Sequence, residues 1–174
     1  MPNWCKNNLR ICGNGEKVLE LLEYLKDENG NFTMNRAVPM PKELEDTESP
    51  NRASEEEKKK LIEKYGADNW YDWRRMNWGV KWDADESGFW KDGDDWMISF
   101  QTPWGPPCIF MEKLSKQFPK ITFILQFADE GYGEYPLGQA IYEDGNECLE
   151  GPSDGSNEAE SFAESVWDEE WVEY

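Results

Sequence analysis

The chain has 174 residues, ten of them tryptophan and none histidine, with aromatic residues at 14 % and a formal net charge of −19. That length suits one domain with a core of its own, and the high aromatic share means the core is built largely from Trp, Phe and Tyr. Without imidazole the common zinc spacings and the Ser-His and Cys-His nucleophile systems cannot be assembled, and no segment approaches the roughly 18 apolar residues of a membrane helix.

In residues 3–12, Leu9 and Ile11 alternate before Gly13-Asn14-Gly15, which predicts a strand ending in a turn. Val18, Leu21, Leu22 and Leu25 then recur at helical spacing, and the pattern predicts a helix that stops at Asn29-Gly30. Strand followed by helix opens a β-α unit. The prolines in AVPMPKEL and ESPNR make residues 31–53 an irregular excursion. Ser54, with Glu57 three positions on, forms a capping box and predicts a helix over about 55–65. Trp70, Trp73 and Asn77 share a face and predict a second short helix up to about Met76.

From Asn77 the period changes to two. Trp78, Val80 and Trp82 fall on one side and Asn77, Gly79, Lys81 and Asp83 on the other, as in a half-buried strand, with the tryptophans as its buried face. WMISFQTPW at 96–104 alternates as well, so the two are expected to pair as a hairpin across DADESGFWKDGDD. Pro106-Pro107 opens a helix carrying Ile109, Met111, Leu114 and Phe118, and the runs 121–128 and 136–143 predict a further hairpin. The order is β-α-(helical insertion)-β-β-α-β-β. Without the insertion, about 31–76, and the last strand, this is the ferredoxin-like α+β arrangement, an antiparallel sheet with two covering helices. Residues 1–150 form that domain and 151–174 an acidic C-terminal extension.

The charge is unevenly placed. Residues 1–120 carry all 18 bases against 22 acids, whereas 121–174 carry 15 acids and no base. Ala159, Phe162, Ala163, Val166 and Trp167 follow i, i+3, i+4, i+7, i+8, so the extension reads as an amphipathic helix from about residue 157. Glu160, Glu164 and Asp168 would form an outward row, and Glu158, Glu169, Glu170 and Glu173 would extend it. Acids at a helix C-terminus oppose the macrodipole, which a role for the charge would offset. Direct nucleic-acid binding is not expected, because phosphates require Lys and Arg.

Other constellations are weaker. Asp83, Asp85, Ser87 and Gly88 match positions 1, 3, 5 and 6 of a calcium loop, but Asp94 replaces the terminal Glu and Lys91 intrudes, so a solvated hairpin loop is expected. Cys5, Cys12, Cys108 and Cys148 contain no C-x-x-C pair and are expected to stay reduced. Cys108 sits at a helix start, where thiol pKa values fall, but nothing supplies a base. Asp83, Asp85, Asp129 and Glu130 are candidates for a glycosidase carboxylate pair, although acids are so common here that any pair is cheap to find. GNGEK at 13–17 lacks the P-loop spacing. The tryptophan blocks lack the basic groove that accompanies base stacking, so they read chiefly as packing rather than as a ligand platform.

Several blocks occur in order over about residues 1–145: MPNWCKNNLRICG, VPMP (38–41), WYDWRRMNWGVKWD (70–83), TPWGPP (102–107), LSKQFP (114–119) and the stretch from Glu130 to Gly138. Together they resemble the ferredoxin-like-domain family of uncharacterised phage and plasmid proteins of the YubB type. The resemblance implies a ferredoxin-like fold, a mobile genetic element in a bacterial host and no known catalytic residue. The segment after about Gly151 stands outside that pattern. The functional expectation is a non-enzymatic cytoplasmic protein, without cofactor or metal, whose acidic surface engages a basic groove on a host nucleic-acid-handling or defence protein, in the manner of a DNA mimic. The alternatives are an accessory module whose tail only solubilises it and a carboxylate-pair carbohydrate-active enzyme.

Overall fold

The computed structural model of the chain describes residues 2–131, 136–152 and 155–171. It opens with β1 (Trp4–Cys12), which is buried along most of its length. The helix α1 (Gly15–Tyr24) follows, capped by the Asn14 side chain, which accepts from the Glu16 and Lys17 amides, and it buries Val18, Leu21 and Leu22. It ends five residues earlier than the Asn29-Gly30 signal suggested. The Asp27 carboxylate accepts from the Asn29 and Asn31 amides and Lys26 bridges to Phe32, so a tight turn takes the residues that would have extended the helix.

The proline-rich segment contains two single turns of helix where an irregular run was expected, α2 (Met34–Ala37), which stops before Pro39, and α3 (Lys42–Glu45), which starts after Pro41. The helix α4 (Glu55–Tyr65) starts with the capping box read from Ser54 and Glu57, and none of its residues is buried. The helix α5 (Trp70–Asn77) is capped by Asn69 and buries Trp73.

The expected strand over 77–83 does not form. Trp78 is the helical C-cap of α5 and Gly79 adopts a left-handed φ of 85°, which breaks an extended run. The burial behind the pattern is nonetheless there, since Trp78 and Val80 are both core residues while Trp82 is only half-buried. The strand β2 (Asp85–Asp92) lies instead within the segment read as a connection, and its turn to β3 (Asp95–Pro103) is just Gly93-Asp94. As an edge strand with a bulge after Asp85, β2 tolerates the acids and glycine that disguised it.

The helix α6 (Cys108–Gln117), β4 (Thr122–Asp129) and β5 (Leu137–Glu143) fall where expected. A further strand, β6 (Asn146–Glu150), was not anticipated: it is exposed throughout and pairs with β5 across Asp144-Gly145, both with positive φ. That Asp-Gly dipeptide is a hairpin signal of the sort that fits paired strands. The final helix is α7 (Asn157–Trp167), as the spacing predicted.

The sheet order is β2-β3-β1-β4-β5-β6 with every neighbouring pair antiparallel. Its first four strands with α1 and α6 make the ferredoxin-like arrangement. Alternation gives the sheet two unlike faces. Leu9, Ile11, Ile98, Phe100, Phe123, Leu125 and Tyr142 join the main core with residues of α1, α5 and α6. The opposite face presents Lys6, Asn8, Ser99, Gln126 and Gln139, all buried, and α7 packs over part of it. No helix among the described residues is long and apolar enough to cross a membrane.

Candidate interaction surface of the C-terminal helix

The α7 segment folds because its first turn is satisfied and its apolar stripe has somewhere to go. The Ser156 side chain accepts from the Ala159 amide, and Glu158 and Glu160 sit at the positive end of the macrodipole. Ala159, Phe162, Ala163 and Val166 then pack with Ala128 of β4 and Leu137 of β5 in a cluster separate from the main core, with Trp167 at its margin.

That docking turns the other side of the helix outward. Glu158, Glu160, Glu164, Asp168 and Glu170 are exposed, and none of them forms a salt bridge among the described residues. Glu160, Glu164 and Asp168 step along the helix at about 6 Å, four residues of ~1.5 Å rise each. Glu173 lies outside the described residues.

Glu169 departs from the expected row. It takes a positive φ of 60° just beyond the helix, and its carboxylate accepts from Lys6 Nζ at 2.6 Å and Ser99 Oγ at 3.0 Å on the sheet. Three further contacts fasten the same stretch: Asn8 Nδ2 donates to the Val166 carbonyl at 2.8 Å, Trp167 Nε1 to the Asp129 carbonyl at 3.2 Å, and the Arg10 guanidinium stacks 4.2 Å from the Trp171 ring centroid. Lys6 is only 6 % exposed, and Glu169 is the carboxylate its ammonium meets there. Sequence reasoning overlooked Lys6, Asn8 and Arg10. Their signal was present as polar residues at period two in a strand whose other face is apolar, which says that something polar must cover them.

Burial alone would raise the Glu169 carboxyl, but the hydrogen bonds from Lys6 and Ser99 outweigh it and hold the group below its ordinary value. A depressed folded pKa adds stability above the unfolded value and loses it as pH falls through the folded one. Docking of the segment should therefore weaken in acid below about pH 4, near the ordinary Glu value of ~4.3. Hydrogen exchange of the α7 amides along an acid titration, native against Glu169→Gln, measures this. Superimposable curves would show that the Lys6 contact contributes nothing.

The other candidates have structural employment. Asp83 accepts from Thr33 Oγ1 at 2.6 Å and from the Met34 amide at 2.7 Å, tying α2 to the strand that follows the insertion. Asp129 accepts from the Gly131 amide at 2.8 Å in its own turn, while Glu130 is exposed. Asp85 and Asp94 stand at opposite ends of the β2–β3 hairpin, with Asp85 on a strand rather than in a solvated loop. Among the described residues no group of three or more Cys, Asp or Glu is arranged to hold a metal ion. Burial pushes the Cys108 thiol up to about 11, the reverse of the lowering its helix-start position suggested, and it does the same to Cys12. Cys5 is fully buried and its thiol is raised as well, first by burial and then by Asp129.

The fold has a solved counterpart. The crystal structure of protein api92 from Yersinia pseudotuberculosis superposes with a TM-score of 0.56 at 11 % identity, covering 88 % of this chain and 99 % of that one. At that identity the likeness establishes the fold. No curated protein matches the sequence. The family model described as the ferredoxin-like domain in Api92-like protein matches residues 77–170. The match runs through α7, so the C-terminal helix is not an addition outside the family pattern, as the motif blocks had implied, but part of the matched domain. With a match that spans more than half its length and runs from the end of α5 through the docked terminal helix, the chain belongs to the Api92-like family.

Proposed function

We propose that this protein is a non-enzymatic binding protein of the YubB type, encoded by a phage or plasmid and acting in the host cytoplasm. Its acidic surface occupies a basic groove on a nucleic-acid-handling or defence protein. The observation that carries this reading is the ordered helix α7: its apolar stripe is consumed by the sheet, which leaves Glu158, Glu160, Glu164, Asp168 and Glu170 outward without cationic partners among the described residues. A tail serving solubility alone has no need of a fixed helix. A row of carboxylates at ~6 Å steps on a rigid support presents charge much as a phosphate backbone does, and long-range attraction speeds its encounter with a cationic groove.

The test is a charge reversal that leaves the docking stripe untouched. Glu160→Lys, Glu164→Lys and Asp168→Lys in one full-length variant should melt close to the native protein yet lose host proteins captured at low ionic strength, and duplex DNA should displace those proteins from the native bait. Full retention by the folded triple variant would sink the reading.

A further inference from the structure

We infer that Trp104 is the aromatic anchor of this interaction surface and that its counterpart is an arginine side chain on a basic protein partner. The inference rests on the acidic-surface reading above and adds to it a residue outside α7.

Trp104 belongs to the TPWGPP block, which the helix surface does not use. It is 55 % exposed and holds a left-handed φ of 69°, a conformation that a bulky side chain adopts only when its surroundings impose it. They do so here with buried polar groups. The Trp104 amide donates to the Asn3 carbonyl at 2.9 Å, Thr102 Oγ1 donates to the Gly105 carbonyl at 2.7 Å, and Asn7 Nδ2 reaches Thr102 Oγ1 at 2.8 Å. Asn7 and Thr102 are fully buried, and among the described residues the Asn7 Oδ1 atom has no hydrogen-bond partner. The fold thus spends an interior amide and hydroxyl to hold an indole in solvent.

The position matters as much as the exposure. Three strand ends lie side by side here: the Trp104 amide bonds to Asn3 on one flank of β1, and the Glu130 amide bonds to the Trp4 carbonyl on the other at 2.9 Å. With strands spaced about 4.8 Å apart, Trp104 and Glu130 straddle β1 at roughly 10 Å. Trp167, in the last turn of α7, donates to the carbonyl of Asp129, the residue before Glu130, which ties that helix to the same strand end. An aromatic anchor with a carboxylate-bearing residue across β1 suits a planar cation, because guanidinium stacks on indole while its N–H fork takes a carboxylate. Ammonium gains less from such a pair. Interface energy typically concentrates at such aromatic anchors.

The experiment titrates the full-length protein with fluorescein-labelled deca-arginine and deca-lysine peptides at low ionic strength. The native protein should bind deca-arginine about tenfold more tightly than deca-lysine. Trp104→Ala should abolish that preference while leaving deca-lysine affinity unchanged, and Trp104→Phe should retain much of it. Trp104→Gly, which relieves the left-handed strain, should melt no lower than the native protein and still lose the preference. If both peptides bind but Trp104→Ala keeps the arginine preference, this assignment is wrong while the acidic-surface reading survives. If neither peptide binds, the acidic-surface reading falls and this inference falls with it. Binding of cellohexaose that depends on Trp104 would overturn the arginine assignment in favour of a sugar platform.

Discussion

Replacing Trp78 by alanine should destabilise the protein by about 3–5 kcal/mol, the usual cost of truncating a buried aromatic side chain. The indole is 1 % exposed, donates from Nε1 to the Val38 carbonyl at 2.9 Å, and meets Trp73 edge-on at a centroid distance of 5.8 Å. The backbone carbonyl of Trp78 also accepts from the Phe110 amide. One side chain therefore joins the proline-rich segment, α5 and, through its backbone, the start of α6. Its removal opens a cavity and leaves the Val38 carbonyl without a partner, and both effects act in the same direction. Denaturant unfolding at constant m-value measures the loss. A midpoint shift below about 1 kcal/mol equivalent would mean that the insertion is not fastened through this residue.

Phe162→Ala should produce a loss of similar nominal size, about 3–5 kcal/mol, but distributed differently. Phe162 is 3 % exposed and is the largest side chain in the small cluster where α7 meets Ala128 and Leu137, a cluster that shares no buried residue with the main core. Such separate units can open locally while the rest of the fold persists. The expected result is loss of hydrogen-exchange protection across 159–166 with β1, β3 and β4 amides still protected, and weakened binding to any partner of the acidic face. If the strands lose protection in parallel with the helix, α7 is integral to the domain and the two clusters form one cooperative unit.

How much was legible in the sequence depended on whether the signal was local. The capping box at Ser54 and Glu57, the Asn14 turn before α1 and the i, i+3, i+4 stripe of α7 are decided within one or two turns of chain, and all three stand in the structure. The ferredoxin-like order followed from such local elements plus the restriction that short connections place on antiparallel neighbours. The strands at the sheet margins were not legible. β2 and β6 bury little and carry acids, so they lack the apolar alternation that marks a strand, and only pairing with β3 and β5 makes them extended.

The candidate site divides along the same line. By itself the sequence determined that the C-terminal residues form an amphipathic helix with carboxylates opposite an apolar stripe, because helical periodicity is a property of the segment alone. It also determined that residues 121–174 carry no cation to neutralise them. Only the tertiary structure decided where that stripe docks, that Glu169 turns back to Lys6 and Ser99 instead of joining the outward row, and that Trp104 stands exposed where the end of β3 meets the start of β1. Lys6 and Glu169 are 163 residues apart in the chain. No local pattern encodes such a contact, because it exists only once β1 has been sandwiched between β3 and β4 and its polar side requires a cover.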